Sequence, residues 1–523
     1  MYPTPTERPA RRISCIALFL ATLLHSLPAV AQGNAAPRNI ASSTLPHLGD
    51  DSAMTPGAER RLGDRIIREL YKDPDYIDDA VLMEYVQSIW QPLLAAARLK
   101  GELPSELDEA YAWEILLSRD KSVNAFALPG AYFGLHLGLV GIVANKDELA
   151  SVMGHELSHV TQRHISRMMS RQSAQTPWLI GAMILGILAA SKSPDGANAM
   201  IVGGQAAAAQ SQLNFSRDME READRIGFGV MTQAGFDPEG FVTMFSKLQQ
   251  ASRLNDNGGF PYLRSHPLST ERMADMQGRV PQNNGAAGLG TTATVQSLDH
   301  AMIAARARVL SNTAIDALRS WAIDADPARA PGMRPAVLAG ALYGATLASL
   351  KMRDFDTAHA SWVRLDLLTQ SDPAAARIAR ILGAELALAR GNPARALELL
   401  PPDPSNSSRA TFILRRLAQL DANQAAKASD ALQIWVTDHP RDAQAWQLLA
   451  RAYAAQGRVL ASIRAEAEAS LAHLDYAGAI SRLKAAQDIA RKGVQGAEHM
   501  EASIVDTRAR HVESLLREQL LER

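Results

Sequence analysis

The chain has 523 residues, too many for one ordinary hydrophobic core, so two or more domains are expected. Its 54 Lys and Arg against 55 Asp and Glu leave no positive surplus for a broad nucleic-acid-binding surface, and no nucleic-acid partner is expected. Hydrophobic residues at 47% exclude a disordered chain, and only 5% aromatics with abundant alanine favour helices over an all-β architecture.

Arg8, Arg11 and Arg12 precede an apolar run from Ile13 to Leu24, closed by Ala29-Val30-Ala31. Positive charge, a short apolar span and a small-x-small site predict a secretory signal peptide over residues 1–31. Cys15, the only cysteine, lies inside that run, so the processed chain would hold neither disulfides nor thiol metal ligands. Residues 32–57, rich in Pro, Ser, Ala and Gly, read as a flexible lead-in to a domain over 58–280. Helical patterns cover Glu59 to Tyr71 and Asp78 to Ala97. Alternation of Tyr111, Trp113, Ile115 and Leu117, followed by Phe126, Leu128, Tyr132, Phe133 and Leu135, predicts a small sheet interrupted at Pro129-Gly130.

A helix is predicted from Asn145, a capping residue with Glu148 three positions on, through to about Met169. The uncharged stretch from Trp178 to Ala190 is too short to span a bilayer comfortably and reads as a buried or membrane-grazing helix, a peripheral membrane contact. Another long helix is predicted from about Ala206 to Gly235. Residues 281–297, rich in Gly, Asn, Thr and Ala, mark a linker. Beyond it, over 298–523, nearly everything reads helical. Arg353-Asp354-Phe355 before Ala358, Gly391-Asn392-Pro393 before Ala396, and Asp475-Tyr476 before Ala479 look like degenerate repeat units. Trp446, Leu449, Ala450 and Tyr453 fall at the spacing of the first helix of a tetratricopeptide repeat.

The segment with the clearest chemistry is His155-Glu156-Leu157-Ser158-His159. Four residues on a helix bring both imidazoles to one face, one turn apart, where they can grip a single ion. Glu156 lies about 100° around from His155, placed to reach a metal-bound water and act as general base. A catalytic zinc needs three protein ligands, and without cysteine the third must be His, Glu or Asp. His164, nine residues beyond His155, would face the opposite side of a continuous helix and reads as a surface or packing residue. Glu220 and Asp224 share a face of the second helix, so one can bind the ion while the other fixes a zinc histidine. Spacing does not say which does which. Glu222 points about 200° away from Glu220 and is expected to be nearly silent.

Four elements stand in order: Asn124 to Gly130, His155 to His159, Glu220 to Asp224, and Ser265-His266-Pro267 with Arg272. Together they resemble the gluzincin metallopeptidase family that includes the membrane heat-shock protease HtpX and the CAAX prenyl proteases. The likeness is greatest to its periplasmic, repeat-bearing branch. The resemblance implies a mainly α fold: a zincin-like metalloprotease domain of helices with a small β-sheet, then an α-helical tetratricopeptide-like repeat domain. It also implies one Zn2+ per chain held by His155, His159 and Glu220, with Glu156 as general base. Asp224 would be the acid beside the site, described in the family as a proton donor and read here as the partner of a zinc histidine. His266 would approach the zinc, either gating the site or steadying the oxyanion. The segment from Asn124 to Gly130 would be the edge strand that takes substrate backbone by strand addition.

The implied activity is a zinc endopeptidase of the periplasm acting on unfolded or misassembled outer-membrane β-barrel proteins. The implied partner, reached through the repeats, is the outer-membrane β-barrel assembly machinery. The alternative is a chaperone or scaffold with a latent, gated protease site. An integral-membrane protease would have to rest on residues 178–190.

Overall fold

The computed structural model describes residues 54–171, 216–254, 259–280, 296–328, 331–402, 408–493 and 498–521. The predicted signal peptide, most of the lead-in, the apolar stretch 178–190, the start of the helix expected from Ala206 and nearly all of the linker 281–297 lie outside these residues.

Helix α1, Pro56–Leu70, starts where the Thr55 side chain caps Ala58 N–H and Pro56 presets the first turn. Helix α2, Ala80–Leu99, is capped by Asp79 and buries Leu82, Ile89, Trp90 and Leu93 along one face; the short α3, Ser105–Ala110, follows. The predicted sheet is present as β2 (Glu114–Ser118), β3 (Ala125–Leu128) and β4 (Tyr132–His136), joined by a short strand not predicted from the sequence, β1 (Tyr76–Ile77), in the order β1-β2-β4-β3. Strands β2 and β4 run parallel, and β3 returns antiparallel to β4 with Phe126 opposite Gly134. The reversal occurs at the predicted Pro129-Gly130. Gly130 has φ +74°, and a Cβ there would stand 2.7 Å from the Arg60 backbone of α1, so glycine is required on both counts. Strand β3 is left at the edge of the sheet with β4 as its neighbour on one side.

After α4, Leu137–Ile142, the helix predicted from Asn145 appears as α5, Lys146–Thr161. Asn145 accepts from Glu148 N–H at 2.8 Å. The Glu148 carboxylate reaches back one residue further than a capping box predicts, accepting from Ala144 N–H at 2.6 Å. Every residue from Glu148 to Thr161 is buried, so α5 is the central element of this domain.

The helix does not continue to Met169. Arg163 takes φ +52°, a left-handed conformation costing a non-glycine residue roughly 1–2 kcal/mol, and α6 starts afresh over His164–Arg171. The Arg163 guanidinium donates to Glu59 (Nε to Oε1, 3.0 Å) and to the Met54 carbonyl, which holds the turn against that cost. Helix α7, Arg217–Gln233, crosses α5 where Gly154 meets Gly227. A Cβ at Gly227 would stand 2.9 Å from Gly154 backbone atoms, so only glycine permits this approach, and the approach sets the distance between the two motif helices. Helices α8 (Glu239–Leu254), α9 (Tyr262–Ser265) and α10 (Thr270–Arg279) complete this part.

From residue 298 the chain is entirely helical among the described residues: α11 (Leu298–Ser311), α12 (Ile315–Asp324), α13 (Pro335–Lys351), α14 (Phe355–Thr369), α15 (Pro373–Ala389), α16 (Pro393–Leu399) and α17 (Arg409–Asp421), continuing through α18 (Ala425–Asp438), α19 (Ala443–Ala455), α20 (Val459–Ala472), α21 (Tyr476–Arg491) and α22 (Glu498–Leu521). The repeat units read from sequence are a recurring turn. Arg353, Gly391 and Leu474 are left-handed, the next residues Asp354, Asn392 and Asp475 cap a helix, and Ala358, Ala396 and Ala479 beyond them are fully buried. This is a helical repeat region of tetratricopeptide-like architecture.

The repeats share their apolar core with the preceding part of the chain. One buried cluster runs from Ile77 through Met302 and Leu342 to Ala418. At its edge the buried Arg306 pairs with both Asp79, 2.7 Å away, and Glu385, also 2.7 Å away. Arg409 bridges Asp78 and Asp442, and Tyr71 stacks on His473. No helix among the described residues is long and apolar enough to cross a membrane.

Candidate metal centre

His155 and His159 lie one turn apart on α5, with Nε2 atoms 3.0 Å from each other. Helix α7 delivers Glu220, whose carboxylate oxygens lie 3.5 Å from His155 Nε2 and 3.4 Å from His159 Nε2. The turn after α9 delivers His266, with Nδ1 3.0 Å from Glu220 Oε1 and 3.3 Å from His155 Nε2. All four donors are buried and lie within 4.8 Å of one another, a cluster able to hold a metal ion. Four tetrahedral donors about 2.0–2.1 Å from a zinc ion would stand about 3.4 Å apart, and the observed spacings fit that set.

Glu156 lies beside the cluster but outside the ligand set. Both its carboxylate oxygens are buried without a hydrogen-bond partner, and His266 Nε2 lies 3.4 Å from Oε1. Such a carboxylate costs stability unless the site uses it. Burial pushes its pKa above the usual carboxylate range, against the opposing pull of His266 and His155, which suits a group that must take up a proton.

The two acids that spacing left undivided are distinguished by position. Glu220 faces the histidine Nε2 atoms, whereas Asp224 lies against the far side of the ring, 2.9 Å from His155 Nδ1. Arg272 grips Asp224 through Nε at 2.6 Å and Nη2 at 2.7 Å, and its Nη1 lies 2.7 Å from Glu220. Burial opposes charge on Asp224 and Glu220. Arg272 and His155 nonetheless hold Asp224 below its ordinary range, and His266 and His155 hold Glu220 well below. Burial also disfavours a charged His155, but Asp224 and Glu220 outweigh it and push that imidazole up to about 9. His159 is driven well below 6.5 by burial and by its neighbour His155.

Of the two alternatives read for His164, surface or packing, it is a packing residue, but not on the opposite side of the helix: the break at Arg163 folds it back, fully buried, with its Nδ1 2.9 Å from His159 Nδ1. Glu222 points off the face shared by Glu220 and Asp224, and its carboxylate lies 3.0 Å from His164 Nε2 and 2.9 Å from Arg167. Tyr262, stacked on His266 with ring centroids 4.7 Å apart, was also missed. The sequence signal for these groups was the motif neighbourhood itself; their contacts depend on a helix break that periodicity does not show.

Paired histidines on one helix, a glutamate from a second and an acid set between them define a gluzincin-type centre. Residues 82–280 match the family model described as Peptidase family M48. The chain is similar to the beta-barrel assembly-enhancing protease of Escherichia coli K12, 29% identical over 91% of this chain and 93% of the relative. A Vibrio cholerae serotype O1 protein carrying that name provisionally is 31% identical over 67% of this chain, which spans 66% of that relative's length. The mitochondrial metalloendopeptidase OMA1 of Saccharomyces cerevisiae is 28% identical over 38% of this chain and 56% of its own.

Proposed function

We propose that this chain is a zinc-dependent endopeptidase of the periplasm that cuts misfolded or stalled outer-membrane β-barrel proteins. The observation that carries this is the buried set His155, His159, Glu220 and His266 with the buried carboxylate of Glu156 beside it. Zinc, when bound, would polarise the scissile carbonyl and acidify a water. Glu156 takes the water's proton on its carboxylate and passes it to the leaving amine. Asp224 orients His155 through Nδ1, and Arg272 orients Asp224. Edge strand β3, packed against α5, offers its free side to an extended substrate, which selects unfolded chains over folded ones. The β-barrel substrate class rests on the names of the relatives. The division of labour, in which residues 58–280 cut and residues 298–523 dock on the assembly machinery, rests on the donor residues all lying before the linker and on the helical repeats that follow it.

The position of His266 favours a gated form of this activity. Its Nδ1 fills the fourth place of the donor set, which a catalytic zinc keeps open for water or substrate. His266 must withdraw before Glu156 can work on a water. Metal analysis of the purified chain should find about one zinc per molecule. Cleavage of an unfolded outer-membrane β-barrel protein should stop on chelation and return with zinc. His266→Ala should keep zinc and raise turnover of a small unfolded substrate. Cleavage that survives zinc removal would sink the metallopeptidase reading, and lower turnover in His266→Ala would assign His266 to catalysis instead of gating.

A further inference from the structure

His159 turns its Nε2 towards the donor set, 3.0 Å from His155 Nε2 and 3.4 Å from Glu220 Oε1. Its other ring nitrogen, Nδ1, lies 2.9 Å from Nδ1 of His164. Beyond it, His164 Nε2 lies 3.0 Å from Oε2 of Glu222, and Arg167 donates to the same oxygen at 2.9 Å. His164 is fully buried, while the Glu222 side chain is 29% exposed and closes the chain of contacts at the surface.

The protons in this chain have one consistent arrangement. A neutral imidazole carries one N–H and one lone pair, so a His159 that offers Nε2 to a metal must keep its proton on Nδ1. That N–H then donates to a lone pair on His164 Nδ1. His164 is left with its proton on Nε2, and the acceptor opposite that proton is the Glu222 carboxylate. We propose that His164 and Glu222 are positioning residues that hold His159 in its metal-ligating tautomer and ring orientation through this imidazole–imidazole hydrogen bond.

The local fold is built to make the contact. A continuous α5 would carry His164 to the opposite side, and the left-handed Arg163, clamped by Glu59 and the Met54 carbonyl, turns it back. The two metal-facing histidines of α5 are thereby supported alike. His155 leans on Asp224 directly, with Arg272 behind that acid, and His159 leans on Glu222 through one intervening ring. The inference rests on His159 being a metal ligand.

The test is zinc affinity of the full chain, measured by competition with a chromophoric chelator, alongside the thermal midpoint of the metal-free protein. His164→Phe and Glu222→Ala should each weaken zinc binding about 10–100-fold. Because the two act in series, the double variant should bind no more weakly than His164→Phe alone. Arg167→Ala leaves the His164–Glu222 contact in place and should keep zinc affinity. Glu222→Ala should keep the metal-free thermal midpoint, and the d–d bands of its cobalt-loaded form should shift. If His164→Phe does not fold, Glu222→Ala decides the matter alone. Unchanged zinc affinity in Glu222→Ala beside a zinc-binding wild type, or fully additive losses in the double variant, would overturn the relay. A wild-type chain that binds no zinc would overturn the metal-centre reading beneath it.

Discussion

Glu156→Gln is expected to lower turnover of an unfolded substrate by about 10²–10⁴-fold, the usual worth of a positioned general base. The amide matches the carboxylate in shape but cannot take up a proton. Zinc content should be unchanged, because Glu156 contributes no atom to the donor set. The same substitution should raise the thermal midpoint of the metal-free protein, since it replaces a buried carboxylate without hydrogen-bond partners by a neutral group. Lost activity with retained metal and raised stability separates a catalytic role from a structural one. Full peptidase activity in this variant would remove the general-base assignment.

Arg272→Ala is expected to be the most damaging single change to stability outside the apolar core. Arg272, Asp224 and Glu220 are all nearly inaccessible, with side chains 5%, 1% and 2% exposed. Removing the guanidinium leaves two buried carboxylates short of their shared cation, a loss of about 3–5 kcal/mol by comparison with other broken buried pairs. Saturating zinc should recover part of it, because a dication at Glu220 compensates one of the two charges. Arg272→Lys should fall between, as an ammonium cannot reproduce the forked contact with Asp224. Urea unfolding of the metal-free protein measures this, and a wild-type midpoint in Arg272→Ala would show that the carboxylates do not depend on Arg272.

Much of this site was legible because it is written in helical spacing. His155 and His159 four residues apart, and Glu220 and Asp224 four apart on another helix, must share faces whatever surrounds them. The Asn145 cap, the Pro129-Gly130 reversal and the buried alanines of the repeats were legible for the same reason, since each is a local preference of the backbone. Periodicity failed at Arg163. It assumes an unbroken helix, and the break is held by Glu59, 104 residues away.

The sequence by itself thus determined the helical class, the small sheet, the repeat turns and the residue types of the donor set. These follow from backbone propensity and side-chain spacing over a few residues. Tertiary structure decided what local spacing left open: Glu220 faces the histidine Nε2 atoms while Asp224 stands behind His155, His266 joins the cluster, and His164 lies against His159. Those outcomes depend on how closely α5 and α7 approach at Gly154 and Gly227, and on where distant segments return. Contacts between groups far apart in the chain are set by packing, which local spacing does not encode.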